Sequence, residues 1–534
     1  MSASEVRDGA PSRRILVVGG GTAGWLTACY LAKVLGADSP GGPNITLIES
    51  AEIGAIGVGE GTFPTIRNTL RTLGIDEAAF LRGASATFKQ GIHFADWRVT
   101  PTDGRHEHYL HPFESPYHLD NIDLVPYWLM QDEATRDAFA ATVTFQKRVA
   151  DAQRAPKRLF EGDYSSRLSY AYHFDATHFA RVLATRAREL GVVHLTGEIS
   201  DVHLDDTGAI GSLTSPQHGE LTADLYVDCT GFASLLIGKT LNSPFVSVRS
   251  NLFADRAVAC QVPYAEPDAP INSFTVSTAH EAGWTWDIGL NSRRGIGYVY
   301  SSDHTTDDRA EEVLRAYVGP AADGVTPRRI KFNAGYRESQ WIKNCVAVGL
   351  SASFLEPLES TGIVLIEIAA GYIAEFLPPA GPVDVPAAHF NRLMKTRCEK
   401  IVNFLKLHYC LSQRTEPFWR DNADARSVPE ELTYMLEMWK QRPPARFDFL
   451  LDVESFAHFN YQYILYGMGF RTDLSAAHST YRETEAAAKT FAKLTHFGEL
   501  ATRDLPSHRE MVDQVYAQGF SPRPADRFVG MNRR

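Results

Sequence analysis

Residues 15–24 read Ile-Leu-Val-Val-Gly-Gly-Gly-Thr-Ala-Gly, and this stretch decides the fold. Its first four residues are uncharged and rich in β-branched side chains, which predicts a buried strand. Trp25 to Leu35 contain no internal Gly or Pro and predict a helix. A second strand is predicted at residues 45–48, and it ends in Glu49. The stretch therefore predicts a βαβ unit with a glycine turn.

The glycines have the spacing of a dinucleotide-binding fingerprint. Gly19 suits the tight turn, Gly21 lets the backbone approach a pyrophosphate, and Gly24 allows the helix to pack closely. The helix N-terminus, where Thr22 and Ala23 lie, offers free amides and the positive end of the helix dipole to the anion. We therefore expect these five residues to bind a dinucleotide cofactor.

Glu49 is expected to hold a ribose of that cofactor. An acid at this strand end repels a 2′-phosphate, so NADP is disfavoured while FAD and NAD both remain open. A solvated charge at the strand end is the alternative interpretation. Two later strands, at residues 225–231 and at Cys345 to Gly349, also end in glycine and predict further parts of the same fold, with Gly349 at the cofactor. The chain has a single fingerprint, and the other segments of the cofactor-binding fold are spread along its length. This arrangement favours FAD, which a separate protein would reduce.

The spacing of these segments predicts an α/β fold with a Rossmann-like, FAD-binding domain over residues 1–385. An inserted β-rich layer is expected at about 85–330, because strand patterns alternate from Val246 to Tyr300. Helical periodicity from about Pro386 predicts a helical C-terminal region, residues 386–534, that caps the substrate.

The amino-acid composition argues against several classes of function. The 534 residues carry a net charge of −11 and are 44% hydrophobic, which predicts a folded, soluble protein without the basic surface that nucleic acid requires. No apolar run approaches the roughly 18 residues of a membrane span, and the first residues do not resemble a signal peptide. Six cysteines stand singly, without metal-binding pairs, and fit a reducing cytoplasm without a metal site.

Residues 354–362 form a second motif, Phe-Leu-Glu-Pro-Leu-Glu-Ser-Thr-Gly, ahead of an apolar helix predicted from Ile363 to Leu377. Small residues before a helix leave amides free, so we expect an anion or electron-rich group, a halide or the flavin ring, at Thr361 and Gly362. In the alternative interpretation, Ser360 or Thr361 only caps the helix.

Several ordered motifs together resemble the flavin-dependent tryptophan halogenases over nearly the full length of the chain. They are residues 19–25 (GGGTAGW), 57–60 (GVGE), 88–92 (FKQGI), 284–288 (WTWDI), 354–362 (FLEPLESTG) and 460–463 (NYQY). The resemblance implies a flavin monooxygenase-like fold and a two-component enzyme. A separate NAD(P)H-dependent reductase delivers reduced FAD, which with oxygen and chloride or bromide yields hypohalous acid that reaches the substrate through an internal tunnel.

The resemblance also assigns roles to residues. Lys89 matches the catalytic lysine, whose ammonium can polarise hypohalous acid by hydrogen bonding. Glu359 matches the accompanying glutamate, which can stabilise developing positive charge and take the ring proton. His111 and Phe113 resemble the residues that frame the aromatic substrate.

Trp284, Trp286 and Ile288 match a signature that separates flavin from substrate in this family. Gly289 replaces the family's proline, which predicts a looser segment here. Tyr461 and Gln462 stand where the tryptophan-specific members have two tyrosines, and Gln cannot reproduce the packing of the second phenol. Indole or another electron-rich arene is therefore predicted at least as readily as free tryptophan.

Two rival functions remain open at this point: a two-component aromatic hydroxylase, and a flavin-binding protein without catalysis. Gly289 favours the hydroxylase, whereas Lys89 and the two tryptophans oppose it. Intact Lys89 and Glu359 oppose a non-catalytic role. The sequence leaves the oligomeric state open, a homodimer included.

Overall fold

The computed structural model describes residues 13–51, 59–119, 122–450, 452–477 and 479–520. Gly57 and Val58, quoted above for the family resemblance, lie outside these residues. The strands are β1 (Arg14–Val18), β2 (Asn44–Glu49), β3 (Glu60–Gly61), β4 (Thr87–Lys89), β5 (Gly91–Ala95), β6 (His108–Pro112), β7 (His118–Leu119), β8 (Ile122–Asp123), β9 (Ala171–Phe174), β10 (Val193–Thr196), β11 (Asp201–Leu204), β12 (Ile210–Ser215), β13 (Gly219–Leu221), β14 (Leu225–Asp228), β15 (Phe245–Ser247), β16 (Arg256–Pro263), β17 (Thr275–His280), β18 (Gly283–Gly289), β19 (Arg293–Tyr300), β20 (Arg328–Lys331), β21 (Gly335–Arg337), β22 (Trp341–Ile342), β23 (Cys345–Ala347) and β24 (Ser353–Phe354). The α-helices are α1 (Thr22–Leu35), α2 (Ile66–Leu73), α3 (Glu77–Gly83), α4 (Leu124–Leu129), α5 (Phe139–Val143), α6 (Gln146–Asp151), α7 (Ala176–Glu189), α8 (Asp307–Val318), α9 (Thr361–Phe376), α10 (Asp384–Cys410), α11 (Pro417–Ala423), α12 (Glu430–Trp439), α13 (His458–Gly467), α14 (Thr484–Asp504) and α15 (His508–Gln518).

The predicted βαβ unit forms the centre of a six-stranded sheet with the order β10-β2-β1-β14-β23-β22. Strand β1 pairs in parallel with β2 on one side and with β14 on the other. Its side chains alternate between two apolar clusters, Ile15 and Val17 in one and Leu16 and Val18 in the other. Both faces of the strand are therefore covered, as a parallel sheet requires.

Helix α1 begins at Thr22, three residues before the predicted start at Trp25. The turn is shorter than predicted because Gly19, at φ +112°, reverses the chain within a few residues. Gly21 precedes the first helical residue, so Thr22 and Ala23 belong to the helix itself.

A seven-stranded sheet forms the second layer, in the order β20-β16-β19-β18-β17-β5-β6. It draws its strands from the predicted insertion at about 85–330, although β10 and β14 in that interval belong to the first sheet. The prediction of a looser segment at Gly289 is wrong. This residue is the last of strand β18 and pairs with Arg294, and a Cβ here would lie 2.8 Å from the Ile271 side chain. Pairing and close packing hold the glycine in the strand.

The helical region begins with α10, at Asp384. This helix contacts β22 of the first sheet as well as α9, α11 and α13, so it joins the cofactor-binding layer to the C-terminal helices. Across the described ranges, none of the helices has the combined length and hydropathy that a membrane crossing demands.

Candidate active site

The glycine turn leaves room for a large anionic ligand. A Cβ at Gly21 would meet no atom within 4 Å, whereas one at Gly19 would lie 2.2 Å from the Cys229 carbonyl oxygen. No side chain caps helix α1, so its first amides are free for an anion. Gly349, at φ +76°, lies against this turn, since a Cβ there would be 2.6 Å from the Cβ of Ala23.

Glu49 lies at the end of β2, beside the turn. A Cβ at Gly20 would fall 1.6 Å from one Glu49 carboxylate oxygen, so the glycine makes room for that side chain. The other oxygen lies 2.8 Å from Nε2 of His194. Glu49 is thus packed at the turn and is not simply a solvated charge. The open space at Gly21, the uncapped helix and this carboxylate fit the pyrophosphate and ribose of FAD.

Lys89 is fully buried at the end of β4. Its Nζ donates a hydrogen bond to Oγ of Ser360 at 2.9 Å and lies 5.5 Å from the centre of the Phe113 ring. A Cβ at Gly61 would be 2.9 Å from this Nζ, so the glycine leaves space for the ammonium. Burial lowers the pKa of Lys89 to about 7, against the opposing charge of Glu359. The amine therefore changes charge near neutral pH.

Ser360 stands before helix α9 in the left-handed region, at φ +58°. Its hydroxyl accepts from Lys89 and does not cap the helix, contrary to the alternative of a simple capping residue. The helix start therefore keeps its free amides, and a Cβ at Gly362 would meet no atom within 4 Å. Thr361, which is buried, and Gly362 thus lie at the positive end of the helix dipole, directly after the serine that accepts from Lys89.

Glu359 is held by two histidines on the same oxygen. Oε1 lies 3.0 Å from Nδ1 of His111 and 2.8 Å from Nε2 of His408. All three side chains are buried. Burial alone would raise the pKa of this carboxyl, but His111 and His408 outweigh it and lower the pKa to about 2. Glu359 is thus a carboxylate beside the Lys89 ammonium.

Aromatic rings surround this pair of charges. Phe404 and Tyr463 lie 5.9 and 6.0 Å from the ring of His111, and Phe113 faces Lys89. On β18 of the seven-stranded sheet, which also contains the His111 strand, Nε1 of Trp284 donates to the Tyr409 hydroxyl at 2.8 Å, and that hydroxyl donates to Glu356.

Trp286 and Ile288 follow Trp284 on the same strand, and both are buried. The Trp286 ring lies over Gly297, where a Cβ would be 2.1 Å from it. These contacts fix both side chains within the seven-stranded sheet.

Tyr461 and Gln462 lie on α13, and Phe404 lies between Tyr461 and His111. Tyr461 packs against Phe404 at 4.8 Å and Trp439 at 5.4 Å. Nε2 of Gln462 donates to the Pro444 carbonyl oxygen at 2.8 Å. The structure thus brings Lys89, Glu359, His111 and Phe113 together, whereas Tyr461 reaches them only through Phe404.

Sequence reasoning missed four contributors to the site: Gly61, Ser360 as the acceptor for Lys89, His408 and Asn460. Oδ1 of Asn460 accepts a hydrogen bond from Nε2 of His111 at 2.9 Å, and the place of Asn460 in the 460–463 motif could have indicated it. His408 had no such signal, because it is one polar residue in a long helical run.

The family model described as tryptophan halogenase matches residues 14–482. The tryptophan 6-halogenase SttH of Streptomyces toxytricini is 34% identical over 522 residues, which cover 93% of this chain and 97% of that protein. The crystal structure of a tryptophan halogenase from Shewanella frigidimarina NCIMB 400 superposes with a TM-score of 0.91 at 41% identity, covering 96% of this chain and 98% of that one. The structure of Tar14, a tryptophan C-6 flavin-dependent halogenase from taromycin biosynthesis, gives a TM-score of 0.88 at 38% identity, covering 94% of this chain and 99% of that one.

Proposed function

The chain belongs to the tryptophan halogenase family and is a flavin-dependent halogenase, and on that premise we propose that it halogenates an indole ring, that of tryptophan or of a smaller indole, with chloride or bromide. The observation that supports this most directly is the buried Lys89 ammonium, joined through Ser360 to the chain segment that carries the Glu359 carboxylate. A cation and a carboxylate in one water-poor site are what electrophilic substitution of an arene requires.

FAD is the cofactor that the glycine turn and Glu49 would hold. Bound in its reduced form, with electrons from a separate reductase, it would supply with oxygen the oxidising power that turns halide into hypohalous acid. The free amides of Thr361 and Gly362 would hold the halide.

Lys89 and Glu359 divide the substitution between them in this proposal. Lys89 donates a proton to the oxygen of hypohalous acid, the ring carbon gives its electron pair to the halogen, and the oxygen–halogen bond breaks to release water. The hydrogen on the substituted ring carbon leaves as a proton to Glu359. His111 and Phe113 orient the ring by offset or edge-to-face contact, worth about 0.5–1.5 kcal/mol for each aromatic pair beyond burial.

The test is a turnover experiment with the purified protein, FAD, NADH, a flavin reductase and tryptophan, analysed by mass spectrometry. With bromide, we expect a product that shows the isotope pair of bromine, and without halide we expect no oxygenated indole. An oxygenated product in both reactions would instead indicate the aromatic hydroxylase. Anaerobic mixing with NADH or NADPH alone should leave the bound flavin oxidised, because one nucleotide fingerprint serves one cofactor.

A further inference from the structure

His408 is a buried histidine on α10 whose two ring nitrogens are both engaged. Nδ1 lies 2.9 Å from the carbonyl oxygen of Phe404, and Nε2 lies 2.8 Å from Oε1 of Glu359. The side chain has no exposed surface. A histidine that contacts the same carboxylate oxygen as the β-sheet residue His111 is not a group that merely fills the core.

The hydrogen-bonding partners determine where the protons lie. A backbone carbonyl only accepts, so Nδ1 of His408 carries a hydrogen. Both His408 and His111 converge on Oε1, and a single carboxyl proton could satisfy only one of them, so at least one histidine donates to that oxygen. The pKa of Glu359, lowered to about 2 against the effect of burial, favours the carboxylate. A carboxylate oxygen only accepts, so Nε2 of His408 is the donor in its 2.8 Å contact with Oε1.

Aromatic packing fixes the orientation of this ring. Phe404, one helical turn before His408, meets it edge-on at 5.1 Å, and Phe94 lies at 5.1 Å on another side. Trp97 completes the contact at 6.2 Å. A ring held on three sides has one orientation in which to present its donor.

We propose that His408 is a positioning residue for halogenation, which acts by donating from Nε2 to Oε1 of Glu359 and so holds that carboxylate, ionised and in one orientation, toward the substrate. This inference rests on the proposed function. His408 touches neither halogen nor substrate in this proposal, and its whole effect passes through Glu359.

Two variants of similar polarity separate the donor from the packing. The amide nitrogen of His408→Gln reaches the place of Nε2 and can still donate to Glu359, whereas that of His408→Asn reaches the place of Nδ1 and can donate only toward Phe404. We expect the Asn variant to lose about tenfold in kcat for bromination, as the loss of a buried hydrogen bond to a charged group implies, and the Gln variant to stay within about threefold of wild type. Peroxide release from reduced flavin should be the same in both, since neither change touches the cofactor turn.

A double-mutant cycle distinguishes this positioning role from a purely structural one. With Glu359→Gln already present, His408→Asn should cost less than about twofold, because the carboxylate on which it acts is gone. Equal losses in both backgrounds, or Gln and Asn variants that are equally slow while binding FAD normally, would overturn the inference. Absence of brominated product from the wild type would overturn the proposed function instead, whereas a slow Glu359→Gln enzyme with an unaffected His408→Asn enzyme would overturn only this inference.

Discussion

In the proposed mechanism Lys89 acts in the substitution of the ring and not in the reaction of flavin with oxygen. It lies at the end of β4 and its Nζ donates to Ser360. We expect Lys89→Ala to lower halogenation by at least about a hundredfold, the usual cost of losing a key charged donor, while peroxide release continues. Brominated product and peroxide are measured in the same reaction. A variant that still brominates at the wild-type rate would remove Lys89 from the mechanism.

The charge of Lys89 predicts opposite effects of pH on activity and on stability. Burial lowers its pKa from 10.5 to about 7 despite Glu359, so the ammonium is lost above about pH 7 in the folded protein. The yield of halogenated product relative to peroxide should therefore fall as pH rises through about 7. Between about pH 7 and 10.5 the unfolded chain binds more protons at this lysine than the folded one, so its contribution to the free energy of unfolding rises with pH.

Product and peroxide are measured between about pH 6 and pH 9, with bromide and with chloride. A midpoint that is the same for the two halides belongs to the protein. One that moves with the halide would belong to the hypohalous acid and would contradict the assignment to Lys89.

The sequence predicts some of these residues better than others, for a physical reason. The glycine turn is predicted by its own spacing, and Lys89 and Glu359 stand in motifs to which the family resemblance assigns a role. His408 and Ser360 depend on tertiary contacts: His408 meets a carboxylate 49 positions away in the chain, and the Ser360 hydroxyl, which could have capped α9, is used by a lysine 271 positions away. Local pattern cannot distinguish such a histidine from any other polar residue in a helix.

At the scale of elements, α10 supports the loop before α9 through two consecutive residues. His408 holds Glu359, and Tyr409 donates to Glu356 while it accepts from Trp284. One helix therefore couples the carboxylate of the site to the strand that carries the two tryptophans. The neighbouring strand also explains why the prediction for Gly289 fails. Pairing with β19 determines the conformation of β18 at this position, whatever φ angles a single glycine could adopt.

Tyr409→Phe should weaken this coupling at a measurable cost. It removes the partner of Nε1 of Trp284 and of one Glu356 oxygen, both buried, so we expect the free energy of unfolding to fall by about 1–3 kcal/mol. Urea denaturation measures the difference. Tyr109→Phe is the matched control, because its buried hydroxyl has no partner within the described residues and its loss should cost almost nothing. Equal losses in the two variants would show that the ring, and not the hydrogen bonds, stabilises this region.

At the scale of the whole molecule, we expect the helical region to close the substrate site, so its residues should decide which indoles fit. Gln462 commits one of its two Nε2 hydrogens to the Pro444 carbonyl oxygen, and as a neutral amide it cannot pair the charges of an amino-acid end. Leaving a charged end unpaired costs about 1–3 kcal/mol, so we expect indole to be halogenated at least about fivefold more efficiently than tryptophan in kcat/KM.

Competition of indole and tryptophan in one vessel measures this ratio. Preferential halogenation of tryptophan at a single benzo-ring carbon would show that other residues hold the amino-acid end. Tryptamine, which lacks the carboxylate, and indole-3-propionate, which lacks the ammonium, serve as controls, since each carries one of the two charges.

The place of β1 in its sheet has a consequence for synthesis of the protein. One of its edges is covered by β2 soon after it, but the partner of the other edge, β14, begins only at Leu225. At roughly 5–20 residues per second on the ribosome, on the order of 10–40 s pass before that partner exists. Through this interval an apolar strand has an unpaired edge, which is a template for aggregation. Slower aggregation at low temperature, or a chaperone that covers the nascent strand, should therefore raise the yield of folded protein without any change in its sequence.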